Sequence, residues 1–229
     1  MAEAIKINET TFRIEDDGVR FFLLIGTNKA LLVDSGMNTP NAKDIVSELT
    51  NLPIILINTH GDMDHISGND LFEEFYLGVN EIDYYKTKHK VNNRIIPIND
   101  NEIIDLGNRR IKVINLPGHT PGSIALLDIN NRVLIGGDSI QDGRIFMFNE
   151  GREMNIFVTS LEKLWIEHQN EFDVVYPSHG SFPVDKQLIP TIIESAKKII
   201  NKNTNGNRIE FMNREITYYD FGSVGFLCE

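Results

Sequence analysis

Cysteine is nearly absent from this sequence. Cys228, beside the C-terminus, is the only one in 229 residues. No disulfide can form within the chain, and no thiolate-rich metal site can be built from it. Cys228 lies outside every motif and is expected to have no chemical role. Positive charge is also scarce: 22 Lys and Arg stand against 33 Asp and Glu, for a formal net charge of -11. That balance argues against nucleic acid or an anionic membrane as a partner, since either requires a basic surface. It leaves open a small-molecule substrate, including an anionic one held by a few local cations. Long apolar runs are missing too, and none could span a bilayer. Residues Met1-Ala2-Glu3-Ala4-Ile5-Lys6 lack the apolar core of a signal peptide. The expectation is a cytoplasmic protein forming one domain over residues 1–229, with a homodimer compatible. Its 41% hydrophobic content is ordinary for a globular core.

What the chain does have is a histidine- and aspartate-rich loop, His60-Gly61-Asp62-Met63-Asp64-His65. It follows the apolar run Pro53-Ile54-Ile55-Leu56-Ile57-Asn58, which reads as a buried strand. Two imidazoles and two carboxylates at a strand end are costly to bury unless they are paired or bind a metal. Mixed nitrogen and oxygen donors suit zinc, iron or manganese better than calcium or magnesium.

Strand patterns cover residues 11–14, 19–25 and 29–34, the first two joined through Asp16-Asp17-Gly18. Helical spacing covers residues 41–50, 156–169 and about 185–202. Residues 68–90 read as mostly helical, with a break near Tyr76-Leu77-Gly78. Further strands are expected at residues 94–98, 102–106 and 110–115. A hairpin across Asn130-Asn131 and a strand at residues 173–176 follow. Residues 143–155 read as irregular, and residues 208–227 as one or two edge strands. Strands first and helix–strand alternation later suggest an α/β fold of two packed sheets with helices on both outer faces. Single polar residues cap several strands: Asp34, His119 in Leu116-Pro117-Gly118-His119-Thr120-Pro121-Gly122, Asp138 after Gly136-Gly137, and His179 in Pro177-Ser178-His179-Gly180. His89 and His168 lie in charged helical surroundings and are expected to face solvent.

The ordered set His60, Asp62, Asp64, His65, His119, Asp138, His179 resembles the metallo-β-lactamase superfamily over about residues 11–200. That family reads His-x-His-x-Asp-His, then His, Asp and His. The resemblance implies a four-layered αβ/βα sandwich with two divalent metal ions between the sheet edges. By the same resemblance, His60, Asp62 and His119 would hold one ion. Asp64, His65 and His179 would hold the other, Asp138 would bridge them, and Asp34 would support the loop from behind. The departure is Asp62, which stands where the family has its second histidine. A carboxylate there adds negative charge, favours a harder metal, and raises the pKa of bound water. Asp62 could bind directly, through water, or only by hydrogen bonds.

Two metals about 3.5–4 Å apart can share a water and lower its pKa towards about 7. The resemblance implies that the resulting hydroxide attacks the substrate and that Asp64 orients it. The function expected is hydrolysis of a small ester, thioester or lactone. The nearest branch is the glyoxalase II-like one, through Thr59-His60 and Gly68-Asn69, without its C-terminal helical domain. Two alternatives stand beside it. Asp62 also fits the di-iron, oxygen-reducing branch, although the flavin domain such proteins use is missing. A metal-binding protein without turnover is the other. Arg144, Phe146, Phe148 and Phe182 could form a pocket wall and an anion clamp, or be ordinary core and a solvated Arg. Thr120 and Ser123 could donate to ligand carboxylates or simply shape the turn.

Overall fold

The computed structural model describes residues 2–229. Its first sheet runs in sequence order: β1 (Glu3–Asn8), β2 (Thr11–Asp16), β3 (Val19–Ile25), β4 (Ala30–Val33), β5 (Ile54–Asn58), β6 (Glu74–Gly78) and β7 (Arg94–Ile98). The first four strands are antiparallel; from β4 to β7 the neighbours are parallel. The second sheet contains β8 (Ile103–Asp105), β9 (Arg110–Asn115), β10 (Ile124–Asp128) and β11 (Val133–Gly137). After β12 (Gly143–Met147), β13 (Val174–Pro177) and β14 (Val184–Asp185) complete it, giving the order β14-β13-β11-β10-β9-β8. A third, four-stranded sheet joins β12 to β15 (Asn207–Phe211), β16 (Arg214–Asp220) and β17 (Val224–Cys228).

Alternation along each strand explains the layers. Successive side chains point to opposite faces, so a strand between two layers must be apolar on both. In β3, Phe22 and Leu24 enter the core between the sheets, while Phe21 and Leu23 face the outer layer. In β10, Ile124 and Leu126 share that central core, while Ala125 and Leu127 face the opposite outer layer. The outer layer of the first sheet holds α1 (Ala42–Leu49) and, after α2 (Met63–Ile66), α3 (Ile82–Lys88). That of the second holds α4 (Met154–His168) and α5 (Leu188–Ile200). Helical spacing puts Phe157, Leu161 and Leu164 of α4, and Ile189, Ile192 and Ala196 of α5, against Leu127, Leu134 and Val175. This is the four-layered sandwich expected. Each fully buried Phe or Leu contributes about 1.5–3 kcal/mol.

Three stretches differ from expectation. The break near Tyr76-Leu77-Gly78 is a buried strand, β6, paired with β5 and β7, and α3 begins only at Ile82. Phe75 and Leu77 bury on alternate positions, a period of two that the flanking helical pattern masked. Residues 143–147, expected to be irregular, form β12, because β17 supplies a parallel partner from the far end of the chain. The C-terminal segment gives three strands rather than one or two edge strands. Phe146, Phe148, Ile216, Leu227 and Phe211 fill a small core on that sheet. Residues Glu3–Asn8, which the sequence did not mark, add β1 at the edge. Among the described residues no helix is long and apolar enough to cross a membrane.

Candidate metal centre

The polar strand tips converge on one edge of the sandwich. Asp34 follows β4, and the His60–His65 loop follows the parallel strand β5. In the second sheet β9 and β11 are both antiparallel to β10, and β13 is parallel to β11. Residues His119, Asp138 and His179 therefore leave the same edge, each after a strand running the same way. The two sheets are joined there by backbone hydrogen bonds: Ile124 N–H donates to Thr59 C=O at 2.9 Å, and Arg20 N–H to Ser178 C=O at 2.8 Å.

Each of the four histidines at this edge is pinned through Nδ1. His60 Nδ1 donates to Thr59 Oγ1 at 3.0 Å, His65 Nδ1 to Asp34 Oδ2 at 3.0 Å, His119 Nδ1 to Phe146 C=O at 3.0 Å, and His179 Nδ1 to Gly18 C=O at 2.7 Å. Asp34 organises the first two, since it also accepts from Thr59 N–H at 2.7 Å and Thr59 Oγ1 at 2.8 Å. Its backbone is left-handed, with φ +65°, an uncommon state for a residue with a side chain. Fixing Nδ1 turns Nε2 inward, as in histidines that bind metals. The buried Nε2 atoms of His60, His65 and His119, and Oδ1 of Asp138, have no hydrogen-bond partner. Such buried, unsatisfied polar atoms call for a ligand or ion.

Two clusters of these atoms form. Around His65 Nε2, Asp64 Oδ2 lies at 3.5 Å and Asp138 Oδ1 at 3.2 Å; His179 Nε2 lies 3.1 Å from Asp64 Oδ2 and 3.4 Å from Asp138 Oδ1. Around His119 Nε2, Asp62 Oδ2 lies at 3.4 Å and Asp138 Oδ2 at 3.7 Å, and His60 Nε2 is 3.5 Å from that Asp62 oxygen. Donors about 2.0–2.2 Å from a tetrahedral divalent ion stand about 3.3–3.6 Å from one another. Asp64, His65, Asp138 and His179 form one group that could hold such an ion, and His60, His119 and Asp138 form the other; Asp62 Oδ2 stands beside the second, against both imidazoles.

The two clusters differ in charge. Burial opposes charging His65, but Asp64, Asp138 and Asp34 outweigh it and hold its pKa well above the usual 6.5. His179 behaves alike: Asp138 and Asp64 overcome burial and raise it to about 10. In turn, His65 and His179 overcome burial at Asp64 and Asp138 and hold both carboxyls far below the usual range. Burial lowers His119, and Asp62 does not reverse that. A raised histidine pKa adds stability that is complete below about pH 6.5 and is lost as the pH climbs towards about 10. The metal-free protein should therefore weaken between pH 7 and 10. Cations need neutral imidazole, so uptake at pH 7 should also release protons. Calorimetric metal titrations in buffers of different ionisation enthalpy measure this; heats that do not vary with buffer would contradict it.

Several residues at the site carry no signal in the sequence pattern. Glu81, fully buried, accepts from Gly61 N–H at 2.9 Å, Gly122 N–H at 2.8 Å and Thr120 Oγ1 at 2.8 Å. It joins the His60 loop to the His119 loop. Its pKa is raised because burial outweighs these donors. Gly122 must be glycine, as a Cβ there would stand 2.0 Å from Glu81 N. Glu81→Ala leaves the Gly61 and Gly122 N–H groups unanswered and should cost about 3–5 kcal/mol in urea unfolding; a loss below about 1 kcal/mol would show the loops to be held otherwise. Arg20 of β3 clamps the His179 loop, donating through Nη2 to Gly180 C=O at 2.7 Å and through Nη1 to His179 C=O at 3.2 Å. Arg152 pairs with Asp62.

Other sequence expectations fall in different places. His89 and His168 do not face solvent. His89, half-buried, donates from Nε2 to Gly61 C=O at 2.6 Å. His168 is buried, with Nδ1 donating to Glu171 at 3.0 Å. The charged sequence around them hid these partners. Thr120 bonds Glu81 and Ser123 rather than a cluster carboxylate. Phe148 is buried with Phe146 against Phe211, and Phe182 stacks on Phe22 and packs at a tilt against Tyr176 in the central core. Arg144 is exposed, over the Tyr218 ring. Arg144, Phe146 and Phe148 thus lie together on the third sheet, apart from Phe182 in the central core. Cys228 is buried in β17, and burial pushes its thiol up to about 12.

The chain is similar to an acyl-coenzyme A thioesterase of Gallus gallus, at 22% identity over 69% of this chain and 71% of that one. It is 28% identical to a hydroxyacylglutathione hydrolase of Prochlorococcus marinus, over 84% of this chain and 81% of that protein. A metallo-beta-lactamase from Pontibacter korlensis superposes with a TM-score of 0.74 at 16% identity, over 86% of this chain and 99% of its own. The family model of the metallo-beta-lactamase superfamily matches residues 15–202. With that match across most of its length, and with the four-layered sandwich and converging strand tips behind it, the chain belongs to the metallo-beta-lactamase superfamily.

Proposed function

We propose that this chain is a metal-dependent hydrolase of a small ester, thioester or lactone, working with two divalent ions at the convergent edge. The observation that carries the reading is the set of inward-turned, partnerless Nε2 and carboxylate atoms around Asp138. His60, Asp62 and His119 would hold one ion, and Asp64, His65 and His179 the other, with Asp138 between them. Bound there, the ions would activate a water as nucleophile and polarise the substrate carbonyl. Asp64, whose Oδ2 lies 3.1 Å from His179 Nε2 and 3.5 Å from His65 Nε2, would orient that water and accept its proton, as the family resemblance implies. Thr59, Asp34, Phe146 and Gly18 fix the imidazoles. The thioesterase and hydroxyacylglutathione hydrolase among the relatives support thioesters as the first class to try. The alternative of a di-iron redox centre rests on the charge of Asp62, and Arg152 opposite it weakens that support.

The test is a panel of chromogenic esters, thioesters and lactones, run on zinc- and manganese-loaded protein with His119→Ala beside it. Turnover of one class, lost in His119→Ala, is expected. No turnover in any of these classes, nor of phosphodiesters, would overturn the reading.

A further inference from the structure

Asp62 stands where the family places an imidazole, and its surroundings explain how a carboxylate serves there. Arg152 donates to Asp62 Oδ2 through Nη2. The same oxygen is the one 3.5 Å from His60 Nε2 and 3.4 Å from His119 Nε2. The guanidinium is built in rather than reaching from the surface. Its side chain is only 5% exposed, and Nη1 donates to Tyr84 Oη at 2.9 Å. Tyr84 in turn donates to Glu150 C=O at 3.2 Å. Gly151 lets the turn press onto α3: it has φ +88°, and a Cβ there would stand 2.9 Å from the Tyr84 ring. Glu153 N–H donates to Gly118 C=O at 2.9 Å, which ties the same turn to the His119 loop.

A neutral imidazole brings no charge to a cation site. A carboxylate brings one negative charge, and a guanidinium at its back returns the sum to zero. A carboxylate oxygen also has two lone pairs, so Oδ2 can take Arg152 on one and face His60 and His119 with the other. We infer that Asp62 and Arg152 form one unit that replaces a neutral imidazole at the first cation site. Arg152 is a positioning residue in it, fixing the Asp62 oxygen and cancelling its charge. This rests on reading the two clusters as cation sites. It also revises the expectation, drawn from Asp62 alone, that the site favours a harder metal: with Arg152 counted, the net charge is that of a site with three imidazoles.

The test is a cycle of four proteins, wild type, Asp62→His, Arg152→Met and the double variant, each titrated with Zn2+ alone and monitored by competition with a chromophoric chelator. Asp62→His leaves a buried guanidinium facing a cation with no counter-charge, and the affinity of one of the two equivalents should fall about 10–100-fold. Arg152→Met frees Asp62 from its anchor and should weaken the same equivalent by a similar factor. The double variant should recover to within about threefold of wild type, because it puts a neutral imidazole at the site with neither an uncancelled guanidinium nor an unanchored carboxylate. A double variant no tighter than Asp62→His, or an Asp62→His protein that binds as tightly as wild type, would overturn the inference. Wild type that fails to take up two equivalents would instead overturn the reading of the clusters. Thermal unfolding in chelator checks that each variant folds. Should Asp62→His not fold, Asp62→Asn with and without Arg152→Met gives the same comparison, and recovery by Arg152→Met is again the expected result.

Discussion

Asp138→Asn is expected to lower kcat/KM by about 10^3-fold or more, the loss of several kcal/mol that two-ion chemistry supplies. Among the described residues, Asp138 is the one side chain common to both clusters. Its Oδ1 meets His65 and His179, and its Oδ2 meets His119. It reaches them from a buried position directly after β11, so no neighbour can take its place. Asparagine keeps the size and one acceptor oxygen but turns amide hydrogens towards the other cluster. One of the two sites should then empty, and metal content should fall with activity. Parallel assays of turnover and bound metal measure both. A variant that keeps more than about a tenth of the activity would mean that the two clusters do not work together.

The second large effect is expected at a residue that touches no substrate. Asp34→Ala removes the acceptor for His65 Nδ1, Thr59 N–H and Thr59 Oγ1, and through Thr59 it loosens His60. Both clusters lose an orienting group at once. Groups of this kind typically contribute 10–100-fold to metal affinity, so a loss of about that size is expected at each site. Stability should fall as well, by about 3 kcal/mol, because buried donors are left unanswered. Alanine also has to adopt the left-handed backbone of Asp34. Asp34→Asn separates the two costs, since asparagine tolerates that backbone but cannot accept from all three donors. Metal titration and urea unfolding of both variants check this. Unchanged affinity in Asp34→Ala would show that His65 is oriented by packing alone.

The layers and the converging residues were legible in the sequence because they rest on local signals. Apolar runs such as residues 53–58 and helical spacing such as Leu161 and Leu164 determine elements without outside help. The histidines and aspartates stood out because each follows a strand beside glycine or proline. β12 was not legible: it becomes a strand only when β17 arrives from the end of the chain to pair with it. β6 was masked by helical spacing on both sides. Glu81, Arg20 and Arg152 gave no pattern, because each acts on a loop far away in sequence. Asp62 held half of the clue to Arg152. A carboxylate in place of an imidazole asks for a counter-charge, but nothing local says which of 22 Lys and Arg supplies it.

The two-ion reading of the convergent edge is tested most directly by the metal content of protein purified without chelator. The structure's two clusters, joined at Asp138, lead us to expect about two zinc or manganese ions per chain, with Asp138→Asn retaining about one. About two irons per chain, with oxygen consumed under reductant, would instead favour the redox alternative. One ion or none in the wild type, unchanged on adding metal, would contradict the reading.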